Sequence, residues 1–141
     1  SATPLLSMLH YVAEECNPNN THATYLCSVK NIDEALHVSQ IEDLTKNHEN
    51  IRAIFTVTKE DASVKNADIH KSTNVSIVKG RVTGEKITQI VVAAQKDFAE
   101  NPNRKTKYFL CGPKTMVDDI TNTLISELKV SKEVVFHESW S

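Results

Sequence analysis

The sequence predicts a doubly wound parallel α/β sheet that lacks its first strand. Three observations lead there. Helical and strand-like apolar patterns alternate in the order helix, strand, helix, strand, helix, strand, helix, strand, as they do when helices cover both faces of a parallel sheet. The strand-like runs are apolar and rich in β-branched and aromatic residues, which suits buried strands. The pattern also opens on a helix, where this alternation calls for a strand first.

The elements follow in order. Pro4 to Glu15 reads as a helix, with Leu5, Met8, Leu9 and Val12 at helical spacing and Pro4 at the first helical position. Asn17-Pro18-Asn19-Asn20 breaks it. Thr24 to Val29 reads as a buried strand. Asn31 can cap a second helix, with Glu34 three residues on and Leu36, Ile41 and Leu44 inside, ending near Asn47. Ile51 to Thr58 is the next strand. Lys59 to Asn74 is polar and aperiodic and reads as a surface loop, with a weak strand near Val75 to Val78. Val82 to Glu100 reads as a third helix on the stripe Ile87, Ile90, Val91, Ala94 and Phe98. Thr106 to Leu110 reads as a strand and Pro113 to Leu128 as a helix with Met116, Val117, Ile120, Leu124 and Leu128 inside. Glu133 to His137 reads as a last short strand, and Glu138 to Ser141 as a tail.

Composition narrows the function classes. A chain of 141 residues with 40% hydrophobic content makes one domain with a core. The net charge is -2, from 16 basic and 18 acidic residues. That balance suggests neither a nucleic-acid footprint nor a polybasic membrane patch. The apolar runs are too short to span a bilayer. Cys16, Cys27 and Cys111 are widely spaced, with no CxxC, so neither a disulfide framework nor a zinc site is expected, and a reducing intracellular setting fits. No HxxxH, HExxH, GxSxG or phosphate-loop spacing is present, so no metal site is expected.

Two helix starts can bind a ligand. Cys111-Gly112-Pro113 lies between a strand and a helix, and ligands of doubly wound sheets sit at the carboxyl ends of strands. Gly112 has no Cβ to hinder close approach, Pro113 wastes no donor, and the helix start carries partial positive charge. A tight turn with a buried thiol reads equally well. Thr3-Pro4 opens the first helix. It can hold a pyrophosphate through amide groups and a hydroxyl, or Thr3 can serve as a plain cap.

Taken together, Ala2-Thr3-Pro4-Leu5-Leu6-Ser7-Met8-Leu9, then Tyr108-Phe109-Leu110-Cys111-Gly112-Pro113 with Met116, then Phe136-His137-Glu138-Ser139-Trp140, resemble the nicotinamide-binding half of the ferredoxin–NADP reductase superfamily. The resemblance covers nearly the whole chain. Ser28 to Asn31 with Glu34 to Leu36 is most similar to a branch of oxidoreductase NAD-binding domains, which implies a mitochondrial setting. The resemblance implies a Rossmann-like fold whose missing strand is the central one, and a preceding flavin-binding barrel, absent from this sequence, that carries FAD. It implies NAD(H) or NADP(H) as cofactor and an electron acceptor it does not name. Thr3 and Pro4 then match the end of the pyrophosphate loop, without its glycines. Ser28, Lys30 and Asn31 match positions beside the adenosine ribose. Gly112, Pro113 and Met116 frame the nicotinamide with Cys111, a ring neighbour rather than a nucleophile. Glu138 lies near the reacting atoms, and Trp140 covers the flavin ring.

Lys30 leaves NAD versus NADP open, since a cation there suits a 2′-phosphate or is simply solvated. Trp140 could instead pack into the core. A non-catalytic assembly subunit is the competing functional reading. A sheet without its central strand would fold poorly alone, pair its flanking strands directly, or borrow a strand.

Overall fold

The computed structural model describes residues 4–29, 35–57, 75–79, 89 and 105–140. Five parallel strands form one sheet. They are β1 (Thr21–Val29), β2 (Ile51–Val57), β3 (Val75–Lys79), β4 (Lys105–Pro113) and β5 (Val135–Trp140), in the order β3-β2-β1-β4-β5. The helices are α1 (Pro4–Glu15), α2 (Ala35–Asn47) and α3 (Lys114–Asn122). The Thr3 hydroxyl, the Asn31 cap, Lys30, the loop at 59–74 and, apart from the helical Gln89, the helix expected over 82–100 lie outside the described residues.

The sheet is doubly wound because its strands alternate apolar residues onto both faces. On one face Ala23, Tyr25 and Cys27 of β1 join Ile51, Ala53 and Phe55 of β2 and Phe109 of β4, beneath Leu5, Leu9, Val12 and Ala13 of α1 and Ile41 and Leu44 of α2. On the other face Leu26, Ile54, Tyr108 and Leu110 meet Val117, Ile120 and Leu124 of α3 and the turn after it. β1 is central, and every residue from His22 to Ser28 is buried, as expected of a strand covered on both faces. Met8, expected on the inner stripe of α1, lies on its outer flank with the exposed Tyr11. Leu5, Leu9, Val12 and Ala13 already fill a helical stripe, and Met8 falls at its edge.

β1 pairs directly with β4, from Thr21↔Lys105 to Cys27↔Cys111. Among the described residues no strand stands between them. Direct pairing of these two strands is one of the outcomes anticipated from the sequence. Asn50 ties down the opposite end of the sheet. Its buried amide donates to the Thr21 carbonyl at 3.1 Å and the Val12 carbonyl at 3.4 Å, joining the end of α1 to the start of β1.

β1 starts earlier than the sequence reading, at Thr21, and Lys132–Val134, read partly as strand, is a 3-10 turn ahead of β5. Two further differences concern the carboxyl edge. β4 does not stop at Leu110 but runs through Cys111 and Gly112 to Pro113. Pro113 is the extended residue before α3, with φ −57° and ψ 145°, rather than its first helical residue. The expected tail at Glu138–Trp140 is strand, because the longer β4 gives it a partner: Cys111↔Glu138, Gly112↔Ser139 and Pro113↔Trp140. After Asn122 the last helix widens into a π turn over Thr123–Glu127. There the Thr123 hydroxyl donates back to the Asp119 carbonyl at 3.0 Å, a side-chain bond that competes with the helical ladder.

Candidate functional site

The carboxyl edge of the sheet gathers the candidate residues into two rows. The first faces α1. Register sets Phe55 beside Cys27, Cys27 beside Cys111, and Cys111 beside Glu138. Cys27 is buried and Cys111 half-buried, and neither is in a disulfide. Glu138 reaches the start of α1, where its Oε1 accepts from the Leu5 N–H at 3.0 Å. The first amides of a helix have no partner within it, and a carboxylate there is favoured by the helix dipole.

Tyr25 lies in this cluster, below the thiols. Burial, first of all, raises its hydroxyl well above the ordinary tyrosine range. The charges of Cys27 and Cys111, a hydrogen bond with Cys27 and the charge of Glu138 push the same way. Burial beside the two cysteines therefore favours the neutral hydroxyl of Tyr25.

The second row faces α3. Thr56 and Ser28 are register partners, and Gly112 comes next. A Cβ placed on Gly112 would lie 3.2 Å from the Ser28 Cβ, would approach the Met116 Sδ to 3.3 Å, and would collide with the Met116 methyl. The Thr56 hydroxyl lies 4.0 Å from the Met116 sulfur. So Gly112 admits the thioether of α3 onto the backbone of β4. The end of the row is small and weakly polar: two hydroxyls, a bare backbone and a flexible cover.

The structure brings together Cys111, Gly112, Pro113, Met116, Ser28 and Glu138, with Pro4 at the start of α1. The backbone of Trp140 pairs opposite Pro113. Thr3, Lys30 and Asn31 lie outside the described residues. Sequence reasoning missed Cys27, Thr56 and Tyr25. Alternation along each strand assigns their faces, but only register brings them to Cys111 and Gly112. Among the described residues no cluster of metal-ligating side chains occurs, and no helix is long and apolar enough to cross a membrane.

The chain as a whole is similar to known proteins. The sequence model of the family described as oxidoreductase NAD-binding domain matches residues 1–122. The human oxidoreductase NAD-binding domain-containing protein 1 is 28% identical over 146 aligned positions, covering 97% of this chain. This chain spans 41% of that protein's length. A crystal structure of a ferredoxin–NADP+ reductase mutant from Plasmodium falciparum superposes with a TM-score of 0.51 at 14% identity. It covers 93% of this chain and 55% of its own. That likeness is one of fold, and it agrees with the parallel α/β sheet.

Proposed function

The chain belongs to the oxidoreductase NAD-binding domain family, and on that premise we propose that it presents a bound nicotinamide dinucleotide for hydride transfer to FAD on a separate domain. The observation that carries the reading is the carboxyl edge of β4. Cys111, Gly112 and Pro113 lie there beside Glu138 and the start of α1, where ligands of such sheets bind.

The residues present fit a nicotinamide. Cys111 is half-buried, and a small polarizable thiol can touch a ring without demanding a strong hydrogen bond. Gly112 leaves backbone accessible once the Met116 methyl swings aside, and an unbranched thioether has the rotamers to do so. Ser28 and Thr56 place hydroxyls along the same edge. When bound, the dinucleotide supplies the hydride, and alignment of donor and acceptor is what the protein adds. This chain's part is to hold the ring edge at Cys111–Pro113, to keep water from it with Met116, and to present Trp140 toward the flavin. Reacting atoms must be held about 3–3.5 Å apart, so small displacements at these positions act on rate. Thr3 and Pro4 at the start of α1 take the pyrophosphate, and Lys30 and Asn31 the adenosine ribose, while Ser28 stays with Gly112 at the nicotinamide edge.

A second reading is a non-catalytic assembly subunit. What favours it is that Met116 covers Gly112 and Glu138 holds the start of α1, so protein groups fill both ligand positions. Titration of the full-length protein with NADH and NADPH separates the two. Saturable binding supports the first reading, and no binding of either nucleotide overturns it.

A further inference from the structure

We infer that Glu138 closes the start of α1 against the nucleotide, as an autoinhibitory contact that the dinucleotide must displace. The inference rests on the nucleotide reading above. The Leu5 N–H that would meet a phosphate already donates to the Glu138 carboxylate at 3.0 Å, across 133 positions of sequence. α1 carries no acidic residue in its own first turn. The anion at this helix end is therefore brought by β5, from the far end of the chain.

A carboxylate and a phosphate use the same chemistry here. Both accept from the first free amides and both are drawn by the positive end of the helix. They compete for the same donor, and two anions side by side repel. Glu138 is also placed to leave. Among the described residues its strand is at the edge of the sheet, bonded to β4 alone, so its end can shift without breaking a second ladder. Glu138 adjoins Cys111 in register, so its release opens the start of α1 and the nicotinamide edge in one movement. Affinity for the dinucleotide is thus set below what the bare site would give.

The test is NADH titration of the full-length protein, read by nicotinamide fluorescence, with Glu138→Gln and Glu138→Ala beside the wild type. Gln keeps the shape and an acceptor but removes the charge, and Ala removes both. A charge-assisted hydrogen bond corresponds to on the order of tenfold in a competing equilibrium. Glu138→Ala is expected to bind NADH about tenfold more tightly, with Glu138→Gln between it and the wild type. Inorganic pyrophosphate alone, titrated by calorimetry without NADH, should likewise bind Glu138→Ala more tightly than the wild type. Denaturant melts check that each variant is folded, and the isosteric Gln form keeps the comparison usable if Ala is not. Wild-type binding with equal or weaker affinity in both variants overturns the inference and leaves the nucleotide reading standing. No binding by any form overturns both.

Discussion

Gly112→Ala is the substitution that probes the carboxyl edge most sharply. The new Cβ would collide with the Met116 methyl and stand 3.2 Å from the Ser28 Cβ. Overpacking a filled site destabilises by about 1–3 kcal/mol. Here the colliding atom is the free end of a flexible side chain, so Met116 can turn away. It then gives up burial of its methyl, about 0.8 kcal/mol, while the Ser28 contact still needs a few tenths of an ångström of adjustment. Against this, Gly→Ala removes freedom from the unfolded chain, worth about 0.4–1 kcal/mol. The net expectation is a small loss, up to about 0.8 kcal/mol, by urea denaturation. The decisive comparison is the same substitution on a Met116→Ala background. With the thioether gone the collision is gone, and the chain-entropy gain should leave Gly112→Ala neutral or slightly stabilising. The coupling between the two positions should be at least about 0.5 kcal/mol, as for side chains in contact. An equal loss in both backgrounds would refute the packing argument. Nucleotide affinity then separates packing from ligand approach: the stable double variant should still bind weakly if the bare backbone at 112 is needed by the dinucleotide.

Four further outcomes are expected. Phe109 is fully buried and stacked on Phe136 at 5.4 Å between ring centroids, so Phe109→Ala should lose about 3–5 kcal/mol in denaturant melts. Asn50→Ala removes the clip between α1 and β1 and should lose about 1–3 kcal/mol, without changing nucleotide affinity at the opposite edge. Tyr25 has a folded pKa raised above its ordinary value of 10.0, so the folded state holds this proton more tightly. Its contribution is complete below pH 10.0 and shrinks by about 1.4 kcal/mol per pH unit above it, and Tyr25→Phe should flatten that alkaline loss relative to the wild type. Trp140→Ala in the full-length protein should change hydride-transfer kinetics to the flavin, and unchanged kinetics would remove Trp140 from the proposed role.

The parts of this molecule that are local in sequence are the parts its sequence announces. The alternation of periods identifies α1, β1, α2, β2 and β4, and even the weak run at Val75 marks β3. Cys111-Gly112-Pro113 is legible because one strand and the helix after it suffice to make the corner. What depends on pairing is not legible. The extension of β4 to Pro113 and the conversion of Glu138–Trp140 into strand follow from each other, and neither segment shows it alone. Cys27 and Thr56 reach the site only through register with Cys111 and through the placement of Met116. The bond from Leu5 to Glu138 joins the two ends of the chain, and no spacing rule connects them. The turn to π geometry after Asn122 is likewise hidden, since Thr123 turns back on Asp119 within an otherwise helical pattern.

A nicotinamide dinucleotide seated at the carboxyl edge formed by β1, β4 and the start of α1 should shield that edge from solvent. Hydrogen exchange of the full-length protein, with and without saturating NADH, tests it most directly. The account predicts added protection at Cys111–Met116, at Ser28 and in the first turn of α1, with the amides around Asn50 at the opposite edge unchanged. Saturable binding that protects other segments and leaves Cys111–Met116 unprotected would contradict it.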